Sequence, residues 1–390
     1  MRIETDSGGT GSRVLVLSFS DLATDPRVNR QLRFLAPHHR VTAAGWVDPR
    51  LPGVRFVPLA PRRKPLPRRL LAAARLLAGR FDAYYWHRSE VVDCRARLAG
   101  IEADVVVAND IDALPVALAL APRARVLFDA HEYAPLEFED RLFFRVFQQR
   151  FRHWLCRTYI PRAAAMTTVC GSIAEAYERD TGVRAEIVLN APDFEPLAPS
   201  DTAARGGAIR LVHHGAAIRS RRIEQMIRAV RLLDDRFTLD LYLTGADAAY
   251  FAELRREARG DPRIRFHDPV PMRELPRALN AYDVGLFLLE PTNFNYRFAL
   301  PNKLFEFVQA RLAVAIGPSP EMARVVREHG LGIVTDDFRP ETMARALGAL
   351  DAAAVMRFKA GADAAARALS SDAARDTVTR IVGRLAAESR

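Results

Sequence analysis

Cysteine is scarce: Cys94, Cys156 and Cys170 are the only three in 390 residues. Their number is odd and their spacing fits no metal-ligand pattern, which argues against a disulfide framework or a zinc motif. They read as buried thiols of a protein kept in a reducing cytoplasm. No run of about 18 apolar residues occurs, so no membrane span is expected. The N-terminal "MRIETDSGGTGSR" lacks the apolar core of a signal peptide and reads as a loose tail. Neither G-x-G-x-x-G nor a Walker motif is present, so classical dinucleotide and P-loop sites have no support. No internal repeat of about 20 to 50 residues is found.

What is present describes a globular protein. Hydrophobic residues make up 49% and charged residues 27%, a balance that can build a core. The length allows two domains, each with its own core. The net charge is +10, carried mostly by arginine. Such an excess suits a polyanionic partner: nucleic acid, an anionic membrane surface or phosphorylated small molecules. It is also what an Arg- and Ala-rich composition produces without any partner.

Short apolar runs alternate with helical patterns along the whole chain. "RVLVLSF", "RVTAAGW", "VRFVPL", "DVVVAND", "RVLFDAHE" and "AAAMTTVC" read as strands of one set. Near-continuous apolar runs predict parallel strands covered on both faces. The pattern resets after "IVLNAPDFEPLAPSDTAARGGA", a Pro/Ala/Gly/Ser-rich stretch that reads as a linker near 195–208. "IRLVHHG", "TLDLYLTG", "RIRFHDPV", "VGLFLL", "AVAIG" and "GIVTD" form a second set. The fold expected is α/β, with two Rossmann-like doubly wound domains facing across a cleft. The domains expected are 1–195 and 208–365, with a C-terminal helix over 366–390 packing back toward the first.

Ligands in such sheets sit beyond the carboxyl ends of strands. Four segments qualify. In "VHHGAAIRSRRIEQMI", Gly215 allows close backbone approach, and Arg219, Arg221 and Arg222 crowd the expected start of a helix. Cations are disfavoured at that helix end, so an anion is expected nearby. In "LPNKLFEF", Pro301 suits a first helical turn, with Asn302 and Lys303 beside it. Glu306 lies one turn beyond Lys303 on the same face. Phosphate at Lys303 and a ribose diol at Glu306 would make a nucleotide site; a plain Lys–Glu pair is the simpler alternative. In "FDAHEY", His131 and Glu132 follow a buried strand, where a histidine can bind a sugar hydroxyl or act as a base. Asp110 ends the neighbouring strand. In "FSDLATDPRVNRQLRFL", Asp25-Pro26 reads as an N-cap pair, and Asp25 and Arg27 lie in a loop after the first strand.

These segments, in this order over roughly 13–350, resemble glycosyltransferase family 4, retaining enzymes of the GT-B fold. The resemblance implies transfer of a sugar from a nucleotide diphosphate sugar, UDP or GDP, to an acceptor hydroxyl with retention. It implies catalytic roles for His131, Arg221 and Lys303. It implies donor binding by Gly215, Arg219, Arg221, Asn302, Lys303 and Glu306. Asp25, Arg27, Asp110 and Glu132 fall on the acceptor side. No cofactor and no metal are implied, the nucleotide sugar being a co-substrate. Glu306 matches the second glutamate of the family's Glu–seven residues–Glu motif, whereas Phe298 stands where the first is expected. Ala216 stands where many members carry arginine, and Arg311 and Ala313 replace a usual Gly and Pro.

The reading extends to cell-envelope, capsular or exopolysaccharide synthesis, with a glycan or lipid-linked acceptor and no nucleic acid. "PRRKPLPRRLLAAARLLAGRF" and "RLFFRVFQQRFRHWLCRTYIPRAA" are basic and amphipathic, as peripheral contact with an anionic membrane requires. Ordinary surface helices would show the same pattern. Localisation is expected to be cytoplasmic, extending to the inner face of the plasma membrane. Two rivals share the scaffold: a nucleotide-sugar epimerase, and a non-catalytic protein that binds anionic membrane or nucleic acid.

Overall fold

The computed structural model describes residues 11–61, 66–120, 122–202 and 206–389. The tail up to residue 10 and part of the first basic segment, 62–65, lie outside the described residues. The chain divides into two compact units, Met1–Val188 with Arg375–Arg390, and Leu189–Ala374.

The first unit holds β1 (Arg13–Leu17), β2 (Arg40–Gly45), β3 (Val54–Pro58), β4 (Val105–Asn109), β5 (Arg125–Ala130), β6 (Ala165–Thr168) and β7 (Glu186–Ile187). They form one sheet in the order β3-β2-β1-β4-β5-β6-β7, with every pair parallel. Val105, Val106 and Val107 are fully buried. Both faces of β4 are therefore covered, which is why its sequence is continuous rather than alternating. Each such valine contributes about 1.5–3 kcal/mol by leaving water. The strand order reverses between β1 and β4, so the loops after β1, β4 and β5 open onto a switch point.

The second unit repeats the plan with β8 (Ile209–Ala216), β9 (Phe237–Thr244), β10 (Ile264–His267), β11 (Val284–Phe287), β12 (Ala313–Ile316) and β13 (Gly332–Val334). Their order is β10-β9-β8-β11-β12-β13, all parallel, and the reversal falls between β8 and β11. The helix Asn302–Gln309 is buried from Lys303 onward. Its Phe307 ring lies so close to β11 that a Cβ on Gly285 would come within 2.4 Å of it. Glycine at 285 thus sets how near this helix sits to the sheet.

No helix or strand occurs between Val188 and Thr202. This stretch is nevertheless strapped to the second unit. Thr202 Oγ1 donates to Asp283 (2.6 Å), the Glu195 amide to Gln309 (3.1 Å), and Arg311 to the Glu195 carbonyl (2.7 Å). Side-chain hydrogen bonds, rather than a ladder, satisfy its backbone. The helix Ser371–Glu388 leads the chain back into the first unit. There Arg380 pairs with Glu186, and Ser389 donates to the Asp104 carbonyl (2.8 Å). Cys94, Cys156 and Cys170 are buried free thiols. Among the described residues no helix is long and apolar enough to cross a membrane.

Candidate active site

The second unit gathers charge at the carboxyl end of β8. His213, His214 and Gly215 end that strand, and Arg221 follows in the 3-10 turn Arg219–Arg221. Gly215 has φ +112°, a conformation that L side chains rarely adopt. A Cβ there would lie 3.4 Å from Lys303 Nζ and 3.8 Å from Arg221 Nη1. Two cations thus converge on a bare backbone face.

Lys303 enters from the first turn of the helix Asn302–Gln309. Pro301 is its N-cap, with no side-chain cap, so the leading amides keep their donor capacity. Lys303 Nζ donates to His213 Nε2 (3.0 Å) and lies 4.4 Å from the centroid of Phe287. His213 Nδ1 lies 2.9 Å from the Leu286 carbonyl, which assigns the proton to Nδ1 and leaves Nε2 to accept. Burial and the Arg221 charge push the Lys303 ammonium well below its ordinary range, against the pull of Glu306. Burial and the Lys303 charge likewise hold His213 and His214 well below the usual imidazole range. Both histidines are therefore neutral at ordinary pH.

One turn on, Glu306 Oε2 lies 3.3 Å from His214 Nε2. Lys303 and Glu306 are 6% and 5% exposed, so neither is a solvated surface charge. Asn302 Oδ1 is buried without a hydrogen-bond partner, and the approach of Glu306 to His214 Nε2 falls outside hydrogen-bond geometry, which leaves that nitrogen unsatisfied too. Orphaned buried polar atoms cost about 1–3 kcal/mol each, and a polar ligand would relieve that cost.

The three arginines of the loop separate. Arg221 donates to the Ala216 carbonyl (3.3 Å) and stays beside Gly215. Arg219 is held by Glu253 (2.6 and 3.0 Å) and Asp247 (3.1 Å), and Arg222 by Glu290. The structure therefore does not bring Arg219 to Lys303, because the acids that claim it cap and line the helix Ala248–Glu257, beyond β9. The helix after the loop starts at Glu224 rather than at the arginines. Phe298 packs on Phe294 (centroids 4.8 Å) beneath Arg297. Arg311 follows the helix at φ +59°. Its guanidinium caps the carbonyls of Val308 (3.3 Å) and Gln309 (2.8 Å) and pairs with Asp363 (2.6 Å). Those bonds offset the strain that a glycine would avoid.

In the first unit His131 follows β5. Its Nε2 lies 3.1 Å from Asn109 Oδ1 and 3.3 Å from Asp129 Oδ2, and its Nδ1 lies 3.4 Å from Asp110 Oδ2. Both ring nitrogens face acceptors, so the imidazolium is the favoured form. Burial works against that charge, but Asp110 and Asp129 outweigh it and push His131 up to about 9. A base role at neutral pH is thereby disfavoured, and the ring is a hydrogen-bond donor. Asp110 has φ +63° and also accepts from the His131 amide (3.3 Å).

Arg27 and Asp25 are supports. Arg27 forms a buried fork on Asp129 (2.6 and 2.5 Å) and reaches the Val188 carbonyl (2.8 Å). Its charge is neutralised inside the unit rather than presented to an acceptor. Asp25 caps the helix Pro26–Leu35, accepting from the amides of Arg27 and Val28. Glu132 is exposed, and its carbonyl accepts the Tyr177 hydroxyl (2.8 Å). Asp110-Ile111-Asp112 has the spacing of a metal-binding acid pair. Asp112, however, is held by Arg88 and by Arg152 (2.6 Å), and Asp110 by His131. Among the described residues no group of three or more His, Cys, Asp or Glu is placed to hold a metal ion. Sequence reasoning pointed to the strand end at His214-Gly215 but missed His213, Phe287 and Asp129 as site residues. The His-His doublet before Gly215 was the available signal.

Residues 208–352 match the family model described as "Glycosyl transferases group 1". Solved structures match over nearly the whole chain. Sucrose-phosphate synthase from Thermosynechococcus elongatus is 15% identical over 97% of this chain and 100% of its own, with a TM-score of 0.72. The UDP-forming α,α-trehalose-phosphate synthase from Burkholderia vietnamiensis is 14% identical over 97% and 100%, with a TM-score of 0.67. Anabaena HepE in complex with UDP and glucose is 14% identical over 96% and 100%, with a TM-score of 0.67. A search of curated proteins returns no match. The chain has the GT-B type of fold, and the residues that the family model matches lie in the second unit.

Proposed function

We propose that this protein is a retaining glycosyltransferase that moves a sugar from a nucleotide diphosphate sugar to an acceptor hydroxyl. The observation that carries the reading is the convergence of Lys303 and Arg221 on Gly215, with Glu306 one turn along the same buried helix. Lys303, Arg221 and the leading amides of that helix take the diphosphate. They stabilise the negative charge that grows as the glycosyl bond breaks. Glu306 accepts the ribose hydroxyls, and Asn302 supplies a further polar contact. His131, as imidazolium, donates to a hydroxyl of the sugar or acceptor.

Uridine is the favoured base, since structural neighbours are described with UDP, UDP-glucose or UDP-2-fluoro glucose. No metal is assigned a step. The acceptor proposed is a cell-envelope, capsular or exopolysaccharide glycan, lipid-linked or free, and the location proposed is the cytoplasm.

The test is thermal shift of the full chain with UDP, GDP and ADP, followed by nucleotide-sugar turnover read as released diphosphate. UDP at about 100 times its dissociation constant should stabilise the protein by about 2.7 kcal/mol. No shift with any nucleotide sinks the proposal.

A further inference from the structure

Exposed large apolar side chains are not scattered evenly over this protein. Leu70 (73% exposed), Leu71 and Leu77 lie on the helix Leu66–Leu77. Leu142 (67%), Phe143 (66%) and Val146 lie just before and within the helical turn Phe144–Gln148. The two segments pack against each other in the first unit. Positions 142, 143 and 146 share one helical face, and it points outward. Exposed apolar groups in this density mark an interaction surface.

Charge identifies the partner. From Pro49 to Phe81 the sequence contains no Asp or Glu, while arginine recurs through it. Arg75 lies in the last turn of the first helix and Arg80 just beyond it; the exposed Arg145 lies within the second element, and the exposed Arg141 and Arg150 flank it. The nearby acids Glu139 and Asp140 already have partners within the protein. An apolar face rimmed by cations fits the boundary between acyl chains and anionic headgroups. A protein partner would need carboxylates placed to match these arginines, whereas an anionic bilayer presents headgroup phosphates at every point of its surface.

We propose that Leu70, Leu71, Leu77, Leu142, Phe143 and Val146 form a docking face for anionic lipid bilayers. The side chains enter the interface, and the bordering arginines meet headgroup phosphates. This face lies outside the donor cluster and does not depend on the glycosyl-transfer reading.

The test is co-sedimentation of the full chain with phosphatidylcholine vesicles, with and without phosphatidylglycerol. Binding is expected only with phosphatidylglycerol, and it should weaken as salt screens the arginines. The double variant Leu142→Ser/Phe143→Ser should bind on the order of tenfold more weakly. Its unfolding temperature should match wild type, since both side chains are already exposed. Wild type that stays in the supernatant with both vesicles overturns the proposal. So does a double variant that sediments like wild type. A dimer in gel filtration that the double variant abolishes, without vesicle binding, assigns the face to a second copy and equally overturns it.

Discussion

Lys303 Nζ donates to His213 Nε2 across 3.0 Å, and His213 Nδ1 is anchored on the Leu286 carbonyl. A neutral histidine thus holds a buried ammonium beside Arg221, with the Phe287 ring beneath it. The arrangement places positive charge where protein stability gains little from it. Lys303→Met removes repulsion from Arg221 but orphans His213 Nε2. The two effects are of similar size, so stability should change by no more than about 1 kcal/mol. Affinity for UDP should fall by about 10- to 100-fold, the worth of a charge-assisted hydrogen bond. Chemical denaturation and calorimetric titration read the two quantities separately. An unchanged UDP affinity removes Lys303 from the diphosphate site.

Glu306 makes a different prediction. A carboxylate that accepts two ribose hydroxyls should discriminate UDP from its 2′-deoxy analogue. Glu306→Gln should reduce UDP affinity by about tenfold and narrow that discrimination. Equal discrimination in variant and wild type would refute the ribose assignment.

His131 ties stability to pH. Its folded-state value of about 9 stands above the ordinary 6.5. A raised value stabilises the fold fully below 6.5, and the gain is lost as pH rises through about 9. Wild type should therefore lose unfolding temperature over that window. His131→Asn, which keeps donor capacity but cannot titrate, should show a flatter profile. Parallel profiles would mean that Asp110 and Asp129 do not hold the imidazolium.

Arg311 occupies a left-handed backbone position at φ +59°. Arg311→Gly relieves about 1–2 kcal/mol of backbone cost. It also forfeits the bonds to Asp363, to two helix carbonyls and to Glu195 on the strap. The net expectation is destabilisation by about 2 kcal/mol, read by urea unfolding. A more stable glycine variant would show that the guanidinium bonds contribute less than the strain costs.

Much of the fold was legible because parallel strands buried on both faces write themselves as continuous apolar runs. "DVVVAND" and "AVAIG" each became a strand within a residue or two of the expected ends. The helix start expected at Arg222 moved to Glu224 because a 3-10 turn and a left-handed Arg222 intervene. Nothing in local propensity announces that turn.

The sequence by itself determined the two sheets, the polar residues at their strand ends, and the Lys303–Glu306 spacing along one helix. Those features depend on periodicity and on neighbours along the chain. Which arginine joins Lys303 was decided only by tertiary structure, since Asp247, Glu253 and Glu290 claim Arg219 and Arg222 from distant elements. The same holds for Arg27, whose partner Asp129 lies on the distant strand β5, and for His131, whose charge depends on Asp129 of β5 and on Asp110 just after β4. A side chain's charge and availability are set by what folds against it, and that information is non-local.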